Sequence, residues 1–171
     1  MKKRMIVCVA ALLIISSFVA VFTIHSSKIV GDEGLIAKAR KEIDNLADID
    51  TIDIVIAGKS TTNRNNHLFW FITGNEYQMH RYIPMEFTEL ENSEYKFVHK
   101  HSALKRGQDI YVLMWHDGYS FIVNNPNCKS IRILGYAGET QVAVEQIPFV
   151  YYYPGLPSEY SFLDEDGNTL H

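Results

Sequence analysis

Cysteine is nearly absent from this chain of 171 residues, which contains only Cys8 and Cys128. Cys8 lies in an uncharged apolar stretch, so the part of the chain that follows cannot form a disulfide within itself. A domain of this size can build a core without disulfides, and a lone cysteine is more often a small buried hydrophobe than a nucleophile. We therefore expect Cys128 to be buried. The sequence also lacks an Asn-x-Ser/Thr sequon.

Charge is missing from residues 5–24, which also contain no proline and no glycine. Twenty residues of α-helix are about 30 Å long, roughly the thickness of the hydrocarbon core of a bilayer. Three basic residues at positions 2–4 precede the stretch and place the amino terminus in the cytoplasm. Cleavage after Ala20 would leave Phe18 at the −3 position, where a signal peptide has a small residue. We therefore expect a retained signal anchor, with a cleaved signal as the alternative.

These patterns divide the chain into four parts. Residues 1–4 form a positive cytoplasmic tail, residues 5–24 a transmembrane signal anchor, residues 25–31 a juxtamembrane linker, and residues 32–171 an extracytoplasmic β-rich domain. Seven extended residues reach only about 23 Å, so the linker keeps the domain close to the bilayer. The expected location is the cell membrane, with a single pass and the carboxyl-terminal domain outside.

Acidic residues are absent from the first 28 positions. The remaining 143 residues carry all twenty acidic residues but only twelve of the sixteen basic ones, a formal charge of −8. Nucleic-acid-binding domains carry a basic surface, so a nucleic acid partner is excluded. We also expect mild repulsion from an anionic lipid surface. A basic peptide or protein is compatible with this charge.

A change of hydrophobic period separates one helix from a series of strands. Residues 32–47 carry apolar side chains at helical spacing and predict a short amphipathic helix. From residue 51 onward the period is two, and short strands alternate with turn residues. The expected fold class is α+β: an N-terminal transmembrane helix, then one short amphipathic helix and a mainly antiparallel β-sheet domain built of hairpins.

Two glycine-containing dipeptides predict hairpin turns. Gly-Asn at 74–75 and Asp-Gly at 117–118 each stand between apolar runs. The second turn would pair Met114 with Phe121. Both faces of this hairpin are apolar, so we expect it to lie at the centre of the fold, covered on both sides. The polar residues 58–66 read as a loop.

Histidine offers the most plausible metal ligands. His99 and His101 lie two apart, on one face of a predicted strand, and a zinc site would need a third ligand such as His67, His80 or His116. No spacing in the sequence brings these side chains together. We favour histidines of a polar surface and assign no metal site.

The remaining catalytic and metal patterns are incomplete. His116, Asp117 and Ser120 have the residue types of a hydrolase triad, but they share one tight hairpin and lack the G-x-S-x-G elbow. The acidic residues 164–168 lack the glycine spacing and the final glutamate of an EF-hand, so we expect a turn. Carboxylates such as Glu86 show no pattern beyond a charged surface.

Three consecutive tyrosines at 151–153 are the most unusual local feature. In a strand, the outer two face one way and the middle one the other. Exposed tyrosines are good contact residues, although tyrosines also pack half-buried in ordinary sheets.

These observations support no catalytic residue and no cofactor. The leading hypothesis is a single-pass membrane-anchored protein, held in the membrane by its N-terminal helix, whose extracytoplasmic domain binds a peptide or protein partner at the cell envelope. One alternative is an envelope hydrolase or transferase with a dispersed active site. Another is a structural subunit of a membrane complex.

Overall fold

The computed structural model describes residues 28–43, 52–62, 65–74, 80–107 and 109–170. These residues form one α-helix, twelve strands and a single 3-10 turn at Glu91–Ser93, and every strand pairing is antiparallel. The mainly antiparallel β-rich domain with one short helix is therefore confirmed. The elements are β1 (Lys28–Val30), α1 (Gly31–Glu42), β2 (Asp53–Thr61), β3 (Asn66–Gly74), β4 (Arg81–Glu89), β5 (Glu94–Lys100), β6 (Leu104–Lys105), β7 (Ile110–Trp115), β8 (Gly118–Val123), β9 (Ser130–Gly135), β10 (Gly138–Ala143), β11 (Phe149–Pro154) and β12 (Glu159–Leu163).

The strands form three sheets. Sheet A has the order β1-β5-β4-β3-β2, sheet B the order β11-β8-β7-β6, and sheet C the order β10-β9-β12. Three apolar clusters join the layers. One lies between α1 and sheet A, the second between sheets A and B, and the third between sheets B and C. The layers therefore stack in the order α1, sheet A, sheet B, sheet C.

Helix α1 covers the outer face of sheet A. Leu35, Ala39 and Ile43, spaced four apart, are buried against Phe71 and its neighbours on the sheet. Two acidic residues occupy its first turn and two basic residues its last, as the helix dipole favours. The helix ends at Glu42, and the remaining residues of the predicted helix, 44–47, lie outside the described residues.

Strand β3 is buried on both faces. Phe69 and Phe71 point to the cluster under α1, whereas Leu68, Trp70 and Ile72 point to the cluster shared with sheet B. The alternation of side chains along a strand produces this division. The unbroken run of apolar residues from 68 to 72 is therefore typical of a strand that is covered by a layer on each side.

The β7–β8 hairpin lies at the centre of the fold, as predicted. Sheet A covers one of its faces and sheet C the other. Its register differs from the prediction by two residues, because Met114 pairs with Tyr119 and Trp115 with Gly118. The turn is therefore His116–Asp117, with His116 in the left-handed region at φ 51°. A shift of two residues keeps every side chain on its predicted face.

The predicted two-residue turn at 74–75 is wrong. It would pair Trp70 with Met79, but Trp70 pairs with Pro84 and Ile72 with Tyr82. The β3–β4 connection is therefore longer, and residues 75–79 lie outside the described residues. Proline is usually confined to strand ends, bulges or sheet edges, because it cannot donate to the ladder. Pro84 lies inside the central strand β4, beyond the last pairing of β4 with β5.

The predicted loop at 58–66 is also mostly strand. Strand β2 continues to Thr61 after a bulge between Ile56 and Gly58, and β3 begins at Asn66. Residues 28–30 of the predicted linker form the edge strand β1. In the described part of the chain, no helix is long and apolar enough to cross a membrane, and residues 5–24 lie outside that part.

Candidate functional site

A carboxylate clasped by two histidines joins sheets A and B. Glu86 lies in β4, His101 directly follows β5, and His116 occupies the β7–β8 turn. Glu86 Oε2 is 3.1 Å from His101 Nε2, and Oε1 is 2.9 Å from His116 Nε2. The Glu86 residue is only 8% exposed. We call Glu86, His101, His116 and the adjacent Trp115 the Glu86 cluster.

The cluster favours the ionised form of its carboxyl group. Burial alone would raise the pKa of Glu86, but Trp115, His101 and His116 together hold that pKa below its usual range. The Trp115 indole nitrogen is buried and has no partner of normal hydrogen-bond geometry among the described residues. Its influence on Glu86 is therefore that of a nearby N–H dipole. A buried carboxylate with several donors is stable only while those donors remain in place.

Only part of the proposed histidine set converges. His101 and His116 meet at Glu86, and the ring of His99 packs edge-on against His101 with centroids 4.8 Å apart. His67 belongs to a separate site. His80 is exposed just before β4. Within the described residues, no group of three His, Cys, Asp or Glu side chains is arranged to hold a metal ion.

His67 is buried on sheet A beside Glu89, whose side chain is 32% exposed. Its Nε2 lies 2.7 Å from Glu89 Oε2, and its Nδ1 lies 3.0 Å from the Thr61 hydroxyl. Burial, followed by the charge of Lys59, lowers the pKa of His67 despite the opposing effect of Glu89. The Nε2 contact with Glu89 is close but lacks hydrogen-bond geometry, so the Thr61–His67 hydrogen bond is the one that links the ends of β2 and β3.

The three residues of the considered triad point in different directions. Ser120 is fully buried, accepts a hydrogen bond from Trp70 Nε1 at 2.7 Å and shares another with Ser60 at 2.8 Å. His116 faces Glu86, and Asp117 accepts a hydrogen bond from the hydroxyl of Tyr152. A buried serine that already serves two partners is a structural group of the sheet A–sheet B interface.

The acidic segment 164–168 forms a turn, as expected. Asp164 Oδ1 accepts the backbone N–H groups of Asp166 and Asn168 at 3.0 and 2.8 Å. The Asn168 backbone contributes most to lowering the pKa of Asp164. Leu163 forms a bridge with Thr169 across this turn. The carboxylate therefore caps its own turn.

Cys128 and the three tyrosines are packing residues. Cys128 is 2% exposed, as expected for a small buried hydrophobe, and burial raises the pKa of its thiol. Tyr151 and Tyr153 face sheet C whereas Tyr152 faces sheet A, which is the predicted alternation. Burial and then Asp117 raise the pKa of Tyr152 to about 12. All three tyrosines are half-buried, so their rings contribute to two cores.

The most accessible backbone lies at the edge of sheet C. Strand β10 is the outer strand there, and five of its six residues are exposed. Val144 directly follows β10, and its backbone N–H donates to the Lys129 carbonyl. This hydrogen-bonded pair is next to the Ala143–Ser130 pair, the last pair of β10 with β9. Because bonded and non-bonded pairs alternate in an antiparallel ladder, Ala143, Gln141 and Glu139 direct their N–H and C=O groups away from β9.

This edge is open in the described part of the chain. No described strand pairs with the outer side of β10. The side chains of Glu139 and Gln141 share the outer face of sheet C with Arg132 and Leu134 of β9. The strand contains no proline and only one charged residue. We call the outer side of β10 the open edge.

Neither feature is evident from the sequence alone. Glu86 reads as a surface carboxylate because its partners lie 15 and 30 residues away. The open edge depends on strand order, which local periodicity does not encode. Comparison with the models of known protein families, with curated proteins and with solved structures finds no match for this chain.

Proposed function

We propose that this chain is a single-pass membrane protein whose extracytoplasmic domain binds an extended segment of a peptide or protein partner at the cell envelope. Residues 5–24 span the membrane with the amino terminus in the cytoplasm. The partner adds a strand to the open edge of β10. The single observation that carries the binding proposal is this exposed row of unpaired backbone groups on a well-formed sheet.

The chemistry of the open edge favours an extended ligand over a compact one. Alternate β10 residues direct N–H and C=O groups outward, and a peptide strand satisfies such groups in series. Natural proteins protect exposed edges with prolines, bulges or charges because such edges recruit other strands. β10 carries only Glu139 as a charged residue. A basic or polar segment suits this carboxylate and the charge of the domain.

The alternative of an envelope hydrolase or transferase has one supporting observation. Glu86 holds two imidazole rings, and a carboxylate that orients a histidine is a common part of catalytic sites. In the Glu86 cluster both hydrogen bonds run from an Nε2 atom to the carboxylate. No hydrogen bond among the described residues joins either ring to a serine, threonine or cysteine. The geometry therefore supports a clasp between two sheets better than an activated nucleophile.

The anchor and the binding edge are tested separately. For the anchor, intact mass is measured on protein from a membrane fraction, and protease is added to sealed cells. Full-length chain in the membrane, with the domain removed by protease, supports the anchored, outward-facing topology. An amino terminus between residues 21 and 28 contradicts it.

For the edge, a photo-cross-linking amino acid replaces Glu139 in cells, alone and combined with Gln141→Pro or Gln141→Ala. Both substitutions remove the Gln141 amide contact with Ser130, but only proline removes the outward N–H. We expect one adduct that survives Gln141→Ala and is lost with Gln141→Pro. Adducts that persist in the proline variant, or that form equally from position 159 on the opposite edge of sheet C, contradict strand addition at β10.

A further inference from the structure

Three aromatic side chains of β11 lie in the gap between sheets B and C, near the open edge. Phe149, Tyr151 and Tyr153 alternate along the strand, so their rings share the face of sheet B that points to sheet C. All three are only partly buried against the cluster between these sheets. The rings of Phe149 and Tyr151 are stacked, with centroids 6.4 Å apart. We call these three residues the aromatic row.

The aromatic row is incompletely covered because β11 is the outer strand of sheet B. Strand β8 pairs with β11 on one side, and among the described strands none pairs with it on the other. Tyr151 pairs with Phe121 of β8, which faces the same way and is fully buried. The exposed part of each ring in the row therefore lies toward the outer side of β11.

The order of the strands in sheet C decides which of them borders the aromatic row. Strand β12 lies over β8, because the Tyr160 ring packs edge-on against Phe121 with centroids 5.3 Å apart. The guanidinium of Arg106, which follows β6, lies 5.2 Å from the centroid of the same Tyr160 ring. Strand β12 is thus shifted toward the β6 side of sheet B, and β10 is at the opposite end of sheet C. Strand β10 must therefore lie on the β11 side.

Features at both ends of β10 agree with this placement. Near its start, the Tyr153 hydroxyl lies so close to Gly135, the last residue of β9, that a Cβ on Gly135 would collide with it. At its end, only residues 144–148 connect β10 to β11. The two strands therefore run in opposite directions along the same side of the domain, and the aromatic row lies between them.

A strand that adds to the open edge directs alternate side chains to the two faces of sheet C. Its residues opposite Glu139 and Gln141 share the outer face with those side chains. The residues between them lie opposite Thr140 and Val142, on the inner face, because these two residues pair with the buried Ile133 and Ile131. On that face Thr140 is exposed and Val142 is only partly buried. The inner-face side chains of an added strand therefore enter the gap beside the aromatic row.

From this arrangement we propose that the partner segment is an amphipathic strand, whose alternate apolar side chains pack on the aromatic row while its backbone pairs with β10. The intervening side chains lie on the outer face beside Glu139 and Gln141 and are polar, with a basic residue opposite Glu139. A segment that is polar throughout would pair with β10 but leave the aromatic row in water. This inference rests on the proposed strand addition and names the class of segment that binds there.

The test uses the full-length chain in cells, with a photo-cross-linking amino acid in place of Glu139 on the outer face or of Thr140 on the inner face. Mass spectrometry of each adduct identifies the partner segment and the residue to which the probe is attached. With the probe at position 139, the substitutions Thr140→Glu and Gln141→Glu are compared. Both replaced side chains are exposed and both variants add one negative charge, but the new carboxylates face opposite sides of sheet C.

We expect both probe positions to give adducts with the same segment, in which apolar and polar residues alternate. The apolar residues should be those that the register places opposite the inner-face residues of β10. Thr140→Glu should reduce the adduct yield about five-fold or more, because its carboxylate lies among the apolar side chains of the segment. Gln141→Glu should retain the yield, because its carboxylate lies among polar side chains in water.

Three outcomes overturn the proposal while strand addition at β10 stands. The first is an equal adduct yield in Thr140→Glu and Gln141→Glu. The second is a partner segment with polar residues at the positions that face the aromatic row. The third is an adduct from position 139 with none from position 140. An adduct from position 139 that persists with Gln141→Pro, or no adduct from either position, would instead refute the strand addition on which the inference depends.

Discussion

Ser120→Ala should be among the most destabilising single-atom deletions in the domain. The Ser120 hydroxyl lies fully buried between sheets A and B, where it accepts the Trp70 indole N–H at 2.7 Å and bonds to the Ser60 hydroxyl at 2.8 Å. The indole nitrogen can only donate, so Ser120 must act as its acceptor. Trp70 is 0% exposed and Ser60 is 2% exposed, so water does not replace the lost partner.

The magnitude follows from the number of polar groups left without a partner. An unsatisfied buried donor or acceptor costs about 1–3 kcal/mol. Ser120→Ala leaves two such groups, on Trp70 and Ser60, and removes the desolvation of its own hydroxyl. We expect the free energy of unfolding to fall by about 2–4 kcal/mol. Ser60→Ala should cost only about 1 kcal/mol, because the Trp70–Ser120 bond remains.

The assay is urea unfolding of the full-length chain in detergent, followed by tryptophan fluorescence. Both tryptophans of the chain belong to the cluster between sheets A and B, so the signal reports that interface. At a slope of about 2 kcal/mol per molar urea, the midpoint for Ser120→Ala should fall by about 1–2 M. The double variant should be less destabilised than the sum of the single variants, because it no longer contains the orphaned Ser60 hydroxyl.

The reasoning is refuted if Ser120→Ala lies within about 0.5 kcal/mol of the parent, the range typical of surface substitutions. It is also refuted if Ser60→Ala costs as much as Ser120→Ala. Either result would mean that the indole N–H is not dependent on this hydroxyl.

Two further predictions concern the junctions of sheet B. The folded-state pKa of Glu86 lies below its unfolded value, so its contribution to stability is present above the unfolded pKa and is lost as pH falls through the folded pKa. Glu86→Gln should therefore destabilise the domain at pH 7 by about 1–3 kcal/mol. It should also weaken the fall in stability that accompanies acidification. An unchanged pH dependence of stability below pH 5 would contradict this prediction. Gly118→Ala should destabilise by about 1–3 kcal/mol, because a Cβ there would collide with the Tyr153 carbonyl and the Tyr152 ring. Gly138→Ala, whose Cβ would meet open space at φ 114°, is the comparison in the same urea assay and should cost only the smaller backbone strain.

Local periodicity predicted which side chains point inward, but not which strands are neighbours. The central position of the β7–β8 hairpin was predictable because apolar residues occupy both of its faces. The register of its two strands was not predictable from the same pattern. The Asp117-Gly118 dipeptide suggests a turn because glycine accepts positive φ, yet His116 takes the left-handed conformation. Gly118 is instead a glycine because β11 packs too closely for a side chain.

The polar end of β2 shows a second limit of sequence reasoning. Residues 58–61 contain Gly, Lys, Ser and Thr and read as a loop. They form a strand because β2 is an edge strand, where polar side chains remain in water. Ser60 is the exception, and its burial is compensated only by Ser120, sixty residues away. The Glu86 cluster was missed for the same reason, since its members come from different sheets.

The open edge also depends on strand order. Any of several strands can occupy an edge without changing the hydrophobic pattern, so the exposure of β10 required the three-dimensional arrangement.

The order of the sheets along the chain determines the order in which the domain can be assembled. Among the described strands, those of sheet A come from residues 28–100 and those of sheets B and C from residues 104–163. At about 5–20 residues per second, roughly 3–13 seconds separate the synthesis of β5 from that of β12. During that interval Leu68, Trp70 and Ile72 have no partner layer. A nascent chain therefore presents this apolar face of sheet A, and a chaperone that shields it would act before the second half arrives.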